Sequence, residues 1–137
     1  MTPRADRPLQ VFVLDSEALS LAVRGDRAMM ARLARAARGE ADVVTSPMTL
    51  VEAYDGRTTE RRWDWVLSRV RVADIGQEEA RQARRLLADA GLSGHEYAID
   101  AVLAVVARRQ AGEVVVFTSD VDDLEKLVPD RILVVKV

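Results

Sequence analysis

The chain has 137 residues, a length that fits one domain with a core large enough to need neither disulfides nor a structural metal. It has no cysteine and one histidine, His95, which excludes thiolate zinc sites, iron–sulfur clusters, a disulfide framework and a catalytic Cys; chemistry must rest mainly on carboxylates. The formal charge of −2 speaks against nucleic acid only as a sum, because eighteen of the 20 basic residues are arginines.

Many of these arginines are grouped: Arg32, Arg35 and Arg38; Arg57, Arg61 and Arg62; Arg81, Arg84 and Arg85; Arg108 and Arg109. Guanidinium forks match phosphate oxygens, so such groups could form a basic rim around an acidic pocket, although a solvated helix face is the plainer account of any single group. Residues 1–10 are polar and predict a flexible N-terminal extension rather than a signal peptide, and no stretch is long and apolar enough to span a membrane. With no repeat, low-complexity tract or linker, residues 1–137 read as a single cytoplasmic domain.

In chain order, Leu9 to Leu14 is an apolar run read as a first strand buried on both faces and ended by Asp15. Ser16 to Val23 reads as a helix stopped by Gly25. A second helix follows over Arg27 to Ala37, with Met30, Leu33, Ala34 and Ala37 spaced for one inward face and Gly39 closing it. Asp42 to Thr45 is a brief second strand. Ser46-Pro47 pairs an N-cap hydroxyl with proline at the first helical position, and so starts a helix to about Tyr54 that carries Glu52.

A helix over Thr59 to Val70 places Trp63, Val66, Leu67 and Val70 on one stripe and leaves Trp65 off it. Val70 to Ala73 is the third strand. Gln77 to Ala90 is amphipathic, with Ala80, Ala83, Leu87 and Ala90 inward and Gly91 at its end. Ser93-Gly94-His95-Glu96 has the capping-box pattern and begins the next helix. Glu113 to Thr118 is a buried fourth strand, Val121 to Val128 a short helix stopped by Pro129, and Ile132 to Val137 the last strand. Alternating strands and helices imply an α/β domain with a five-stranded parallel sheet.

Between Tyr97 and Ala107 every residue is apolar except Asp100, so this helix is one to bury. A lone ionised carboxylate there costs several kcal/mol, on the order of the penalty for any buried charge, and has to be paired, metal-bound or protonated. Asp15 and Asp120 each follow a buried strand, where a helix N-cap is the simpler reading of either alone. Asp123 completes a box-like pattern with Asp120. Glu52 is isolated in a second apolar helix expected to be buried.

Taken together, two acids end two strands and two sit on apolar helices. If the first and fourth strands are neighbours, Asp15 and Asp120 meet at the switch point, where open parallel sheets bind ligands. Crowded carboxylates without Cys or clustered His favour Mg²⁺ or Mn²⁺ over zinc, and phosphoryl chemistry follows from such a site.

The first strand with Asp15-Ser16, the segment SPMTLVEAY with Glu52, AIDAVLAVVA with Asp100, and Thr118-Ser119-Asp120 followed by Asp123-Leu124 resemble the PIN domain, in particular the VapC-type toxins of toxin–antitoxin pairs. The resemblance covers almost the whole chain from Val11 onward. It implies a sheet in the order 3-2-1-4-5 flanked by helices, and an acidic pocket holding Mg²⁺ or Mn²⁺. Asp15, Glu52, Asp100 and Asp120 would be its catalytic and metal-binding acids, with Asp123 an additional or outer group. Ser16 and Thr118 or Ser119 would orient carboxylates or water.

The implied reaction is hydrolysis of RNA phosphodiesters to a 5′-phosphate and a 3′-hydroxyl. The implied assembly is a homodimer silenced by a small antitoxin of a type II pair. Ser16 keeps a hydroxyl where many relatives have threonine, and Asp55 is an extra acid best read as a solvated helix end.

Other readings remain: an RNA-processing PIN nuclease without an antitoxin, or a catalytically silent PIN fold that only binds partners. A phospho-acceptor receiver module needs a lysine beyond a strand end, and Lys126 and Lys136 do not stand there.

Overall fold

A computed structural model describes residues 9–137. Its elements are β1 (Gln10–Leu14), α1 (Ser16–Val23), α2 (Arg27–Ala37), β2 (Ala41–Thr45), α3 (Pro47–Ala53), α4 (Glu60–Leu67), β3 (Arg71–Val72), α5 (Gln77–Ala90), α6 (Gly94–Arg108), β4 (Glu113–Thr118), α7 (Val121–Glu125) and β5 (Leu133–Lys136). Residues 1–8 of the expected N-terminal extension lie outside the described residues. Gln10, the last residue of that expected extension, belongs instead to β1.

All five strands are parallel, in the order β3-β2-β1-β4-β5. β1 lies between β2 and β4 with Val13 opposite Val44 and Val116, so the chain winds outward from it in both directions. Side chains alternate across a strand. Val11, Val13, Val114 and Val116 therefore enter the core layer with α5 and α6, while Phe12, Leu14, Val115 and Phe117 enter the layer with α1, α2 and α4. Each fully buried aliphatic side chain contributes roughly 1.5–3 kcal/mol, and the sheet is covered on both faces.

Local signals set most boundaries. Asp15, Asp26, Ser46 and Thr59 each accept a capping hydrogen bond at the start of their helices, and Gly91 ends α5 in the left-handed conformation. The predicted face of α2 is corrected. Met29 and Leu33 are buried with Ala36 packed beside them, while Ala34 and Ala37 are exposed. The rotation leaves room for Arg32 to lay its guanidinium 4.2 Å from the Phe117 ring centre and Arg35 to lie 5.3 Å from that of Phe12. Ala80 of α5 is likewise exposed, although Ala83 and Leu87 are buried as expected.

The capping box expected at Ser93 does not form either: the Ser93 side chain makes no capping bond, and Glu96 is exposed. The burial that fixes α6 comes about two turns later, from Ala101 and Leu103 to Ala107.

Trp63 is core, and its indole N–H is buried with no acceptor among the described residues. Trp65 is 38% exposed and flanked by two guanidinia, Arg62 at 4.6 Å and Arg69 at 4.0 Å. Arg62 also donates to the carbonyls of Val23 (3.0 Å) and Ala22 (3.1 Å), satisfying the C-terminal end of α1 from α4.

The turn into β4 depends on Gly112, which has φ +89° and packs directly against the Leu9 backbone. An added Cβ there would collide with the Leu9 carbonyl oxygen, which accepts the Glu113 N–H at 3.2 Å. Gly112→Ala should therefore cost about 2 kcal/mol or more, measured as the fall in urea-unfolding free energy. An unchanged midpoint would show that the β1–β4 entry is less tightly packed than this.

Candidate metal centre

The site forms where β1 and β4 end side by side. Asp15 follows β1, and its carboxylate accepts two backbone donors: Ala18 N–H at 2.8 Å through Oδ1 and Ser119 N–H at 3.0 Å through Oδ2. It is both the N-cap of α1 and a strap to the turn after β4. Thr118 is fully buried, and its hydroxyl accepts the Asp120 N–H at 2.9 Å, turning the backbone so that α7 begins there. Ser119 thus acts through its backbone and Thr118 through its side chain.

α3 is set by a buried knot of hydroxyls. The Thr45 hydroxyl donates to the Leu14 carbonyl at 2.7 Å, where β1 and β2 diverge and the ladder has stopped. Thr45 also contacts the Thr49 hydroxyl. Thr49 in turn accepts the Ser46 N–H (3.0 Å), and Ser46 Oγ accepts the Thr49 N–H (3.1 Å). All three side chains are buried, so these groups depend on each other for satisfaction. Ser46 thus caps α3 as its Ser-Pro start predicts, with Thr49 closing the box.

The expectation that Glu52 lies on a buried helix is corrected as well. Thr49 and Ala53 face inward, leaving Glu52 exposed with Met48, Val51 and Tyr54 around it.

From α6, Asp100 reaches the same place half-buried. It joins Asp120 and Asp123 in a group in which one carboxylate oxygen from each lies within 4.8 Å of the other two. Asp123, a secondary candidate from sequence, is thus inside the tightest cluster, while Asp15 and Glu52 lie outside it. Both still bear on it. The Asp100 pKa is pushed up to about 6, first by burial and then by the charges of Asp120, Asp123, Asp15 and Glu52. Asp120 is also raised, chiefly by its hydrogen bond with the Asp123 carboxyl. The Lys126 ammonium lies 3.8 Å from Asp123 and is the cation paired with the cluster among the described residues.

Ser16 and Glu52 line an adjoining cleft, and His95 is exposed at the start of α6. A set made only of carboxylate oxygens, too crowded for all to ionise freely, fits a hard divalent cation.

A five-stranded parallel domain with acids gathered at its switch point defines a class of α/β proteins with a carboxylate centre. More narrowly, residues 12–127 match the PIN domain, and the chain belongs to that family. No curated protein matches the sequence. Among solved structures, VapBC2 from Rickettsia felis, bound to a DNA fragment from their promoter, aligns with a TM-score of 0.65 over 93% of this chain and 98% of that one. At 13% identity the likeness is one of fold.

Two predictions follow from this geometry. The Asp100 pKa is about 6 in the fold against 3.8 unperturbed, so the folded state holds this proton more tightly. Its protonation stabilises the fold at acid pH, and that stabilisation is lost as pH rises through 6. In EDTA at pH 7.5, Asp100→Asn should raise stability by on the order of 1 kcal/mol, allowing for screening at a half-buried group. The gain should fade towards pH 4; a loss of melting temperature at pH 7.5 would contradict the crowding argument.

Thr45→Val leaves the Leu14 carbonyl without its donor and should cost about 1–3 kcal/mol, whereas Thr45→Ser should recover most of it. Equal losses in the two variants would assign the effect to packing.

Proposed function

We propose that this protein is a Mg²⁺- or Mn²⁺-dependent endoribonuclease and the toxin of a type II toxin–antitoxin pair, active in the cytoplasm. The observation that carries the reading is the convergence of Asp100, Asp120 and Asp123 within 4.8 Å, with Asp15 and Glu52 close enough to raise Asp100. Membership of the PIN family supports nuclease chemistry, and the fold-level likeness to VapBC2 supports the toxin assignment. No helix among the described residues is long and apolar enough to cross a membrane.

Asp100, Asp120 and Asp123 would hold the ion, with Asp15 and Glu52 completing the negative field. When bound, such an ion lowers the pKa of a water and offsets charge on a scissile phosphate. The chain's own part is to keep the carboxylates in place. The Ser119 N–H fixes one Asp15 oxygen, the Thr118 hydroxyl fixes the Asp120 backbone, and the Thr45–Thr49 knot fixes the helix bearing Glu52.

Met48, Val51 and Tyr54, 43%, 74% and 59% exposed beside Glu52, are the kind of apolar border that an antitoxin or a second protomer of a homodimer would cover.

The test is cleavage of a mixed RNA pool by purified protein with Mg²⁺, Mn²⁺ or EDTA, beside Asp100→Asn prepared identically. We expect metal-dependent cutting that falls at least about a hundredfold in the variant, and Mn²⁺ should raise the melting temperature of the wild type but not of Asp100→Asn. Cutting that persists in EDTA or survives the substitution would refute the assignment.

A further inference from the structure

Beside the acid cluster lies a second feature that the four-acid scheme does not use. A cleft of about 210 Å³ opens between the start of α1 and the loop after α3, with Ser16 and Glu52 on the wall next to the acids. The rest of its lining includes Arg24, Tyr54 and Arg57, together with Glu17 and Asp55, the carboxylates these arginines pair with. The two arginines come from distant parts of the chain yet face one acid. The Asp55 carboxyl is held below its usual range first by the Arg57 backbone N–H and, more weakly, by the guanidinium charges of Arg57 and Arg24.

Both guanidinia are paired with a carboxylate at the surface. Arg24 gives one terminal N–H to Glu17 at 3.2 Å, and Arg57, its side chain 82% exposed, gives its Nε–H to an Asp55 oxygen at 3.2 Å with a terminal nitrogen 3.1 Å from the same oxygen. Exposed pairs of this kind contribute little, and a guanidinium has five N–H donors, so each can keep its carboxylate and still take a phosphate oxygen. The Asp55 side chain also accepts the Arg57 N–H at 2.9 Å, closing a tight turn after Tyr54, and Tyr54 and Arg57 line the same cleft. Tyr54 leans against Trp63, with ring centres 6.3 Å apart, which gives the phenol ring a fixed backing while leaving it 59% exposed. A backed, exposed aromatic ring beside guanidinia with N–H donors to spare is how proteins hold unpaired nucleotides: the base stacks on the ring and the backbone phosphate meets the cations.

We propose that this cleft is a nucleotide subsite for single-stranded RNA, in which Tyr54 stacks the base next to the scissile phosphate and Arg24 and Arg57 hold the adjoining phosphate. The proposal rests on the nuclease reading, because its place beside Glu52 and Ser16 has meaning only if the bond cut lies at the acid cluster. It adds a basis for substrate choice: the acids act on any phosphodiester, whereas a stacking shelf with a phosphate clamp admits only a strand free to unstack. Duplex RNA, with its bases stacked and paired, would not enter.

The experiment measures binding of a fluorescently labelled single-stranded RNA pool in EDTA, with every variant built on Asp100→Asn so that nothing is cut. Tyr54→Ala should weaken binding about tenfold while Tyr54→Phe keeps it. Arg24→Ala and Arg57→Ala should each weaken it several-fold and lower the slope of log K against log salt by about 0.7. Arg81→Ala, which removes the same charge from the exposed face of α5, should leave binding and slope unchanged, and melting curves confirm that each variant is folded.

If the Asp100→Asn parent binds RNA and the Tyr54, Arg24 and Arg57 variants bind as it does, the subsite is wrong and the nuclease reading stands. If the wild type neither binds nor cuts RNA, the nuclease reading fails and the subsite falls with it. If the arginine variants lose a co-expressed antitoxin but not RNA, the cleft is a protein contact and the proposal is overturned.

Discussion

One carboxylate ties the two halves of the sheet together at the point where they part. Asp15 accepts a hydrogen bond from α1 through Ala18 and another from the turn after β4 through Ser119, 104 residues further along the chain than Asp15, so a helix start and a strand end share one acceptor. Without it, two donors in the crevice would be left without partners, at roughly 1–3 kcal/mol each if water cannot replace the acceptor. Capping and site-building are often weighed as alternatives for an acid after a strand. Here the capping bond uses one oxygen and the strap the other, and the same geometry aims the negative charge at Asp100.

The rest of the site is held together against its own electrostatics. Asp100 is buried enough to resist ionisation and is surrounded by acids that resist it further. Nothing local favours this; it persists because the elements that carry the acids are fixed by other means. α6 is fixed by its apolar run from Ala101 to Ala107, α3 by the hydroxyl knot beneath it, and the β4 turn by Thr118. Stability invested in the scaffold is partly spent on keeping like charges together, the expected pattern where a site must attract a cation.

Much of this was legible from residue order. Strong periodicity with a clear stop placed α1, α2 and α5 at their observed ends, and the isolation of Asp100 in an apolar helix marked the one acid whose pKa is most disturbed. Errors arose where a side chain had a choice of partners. Alanine is nearly neutral about burial, so Ala34, Ala37 and Ala80 gave no warning that arginine stacking and helix rotation would leave them outside.

The Ser93 motif had suitable spacing, but its hydroxyl makes no capping bond. Glu52 looked buried because its neighbours are apolar, yet those neighbours border an open crevice. Asp123 could be ranked above Asp15 in the cluster only once the turn of α7 was known. The meeting of Arg24 with Tyr54 and Arg57 left no periodic trace, since it depends on how one loop folds against one helix end.

The brevity of β3 has a consequence for how molecules of this protein can meet. It pairs with β2 through only two residues, Arg71 and Val72, and Arg71 is anchored sideways to Asp42 at 2.7 Å and to Gln110 at 2.9 Å. A free sheet margin normally invites another chain to add a strand, and the invitation scales with the run of unpaired backbone groups it offers. Two residues under a charged side chain offer almost none, while the opposite margin, β5, ends in Lys136. Fibre-like growth by strand addition is thereby discouraged at the β3 margin, and the lysine at the end of β5 works the same way at the other.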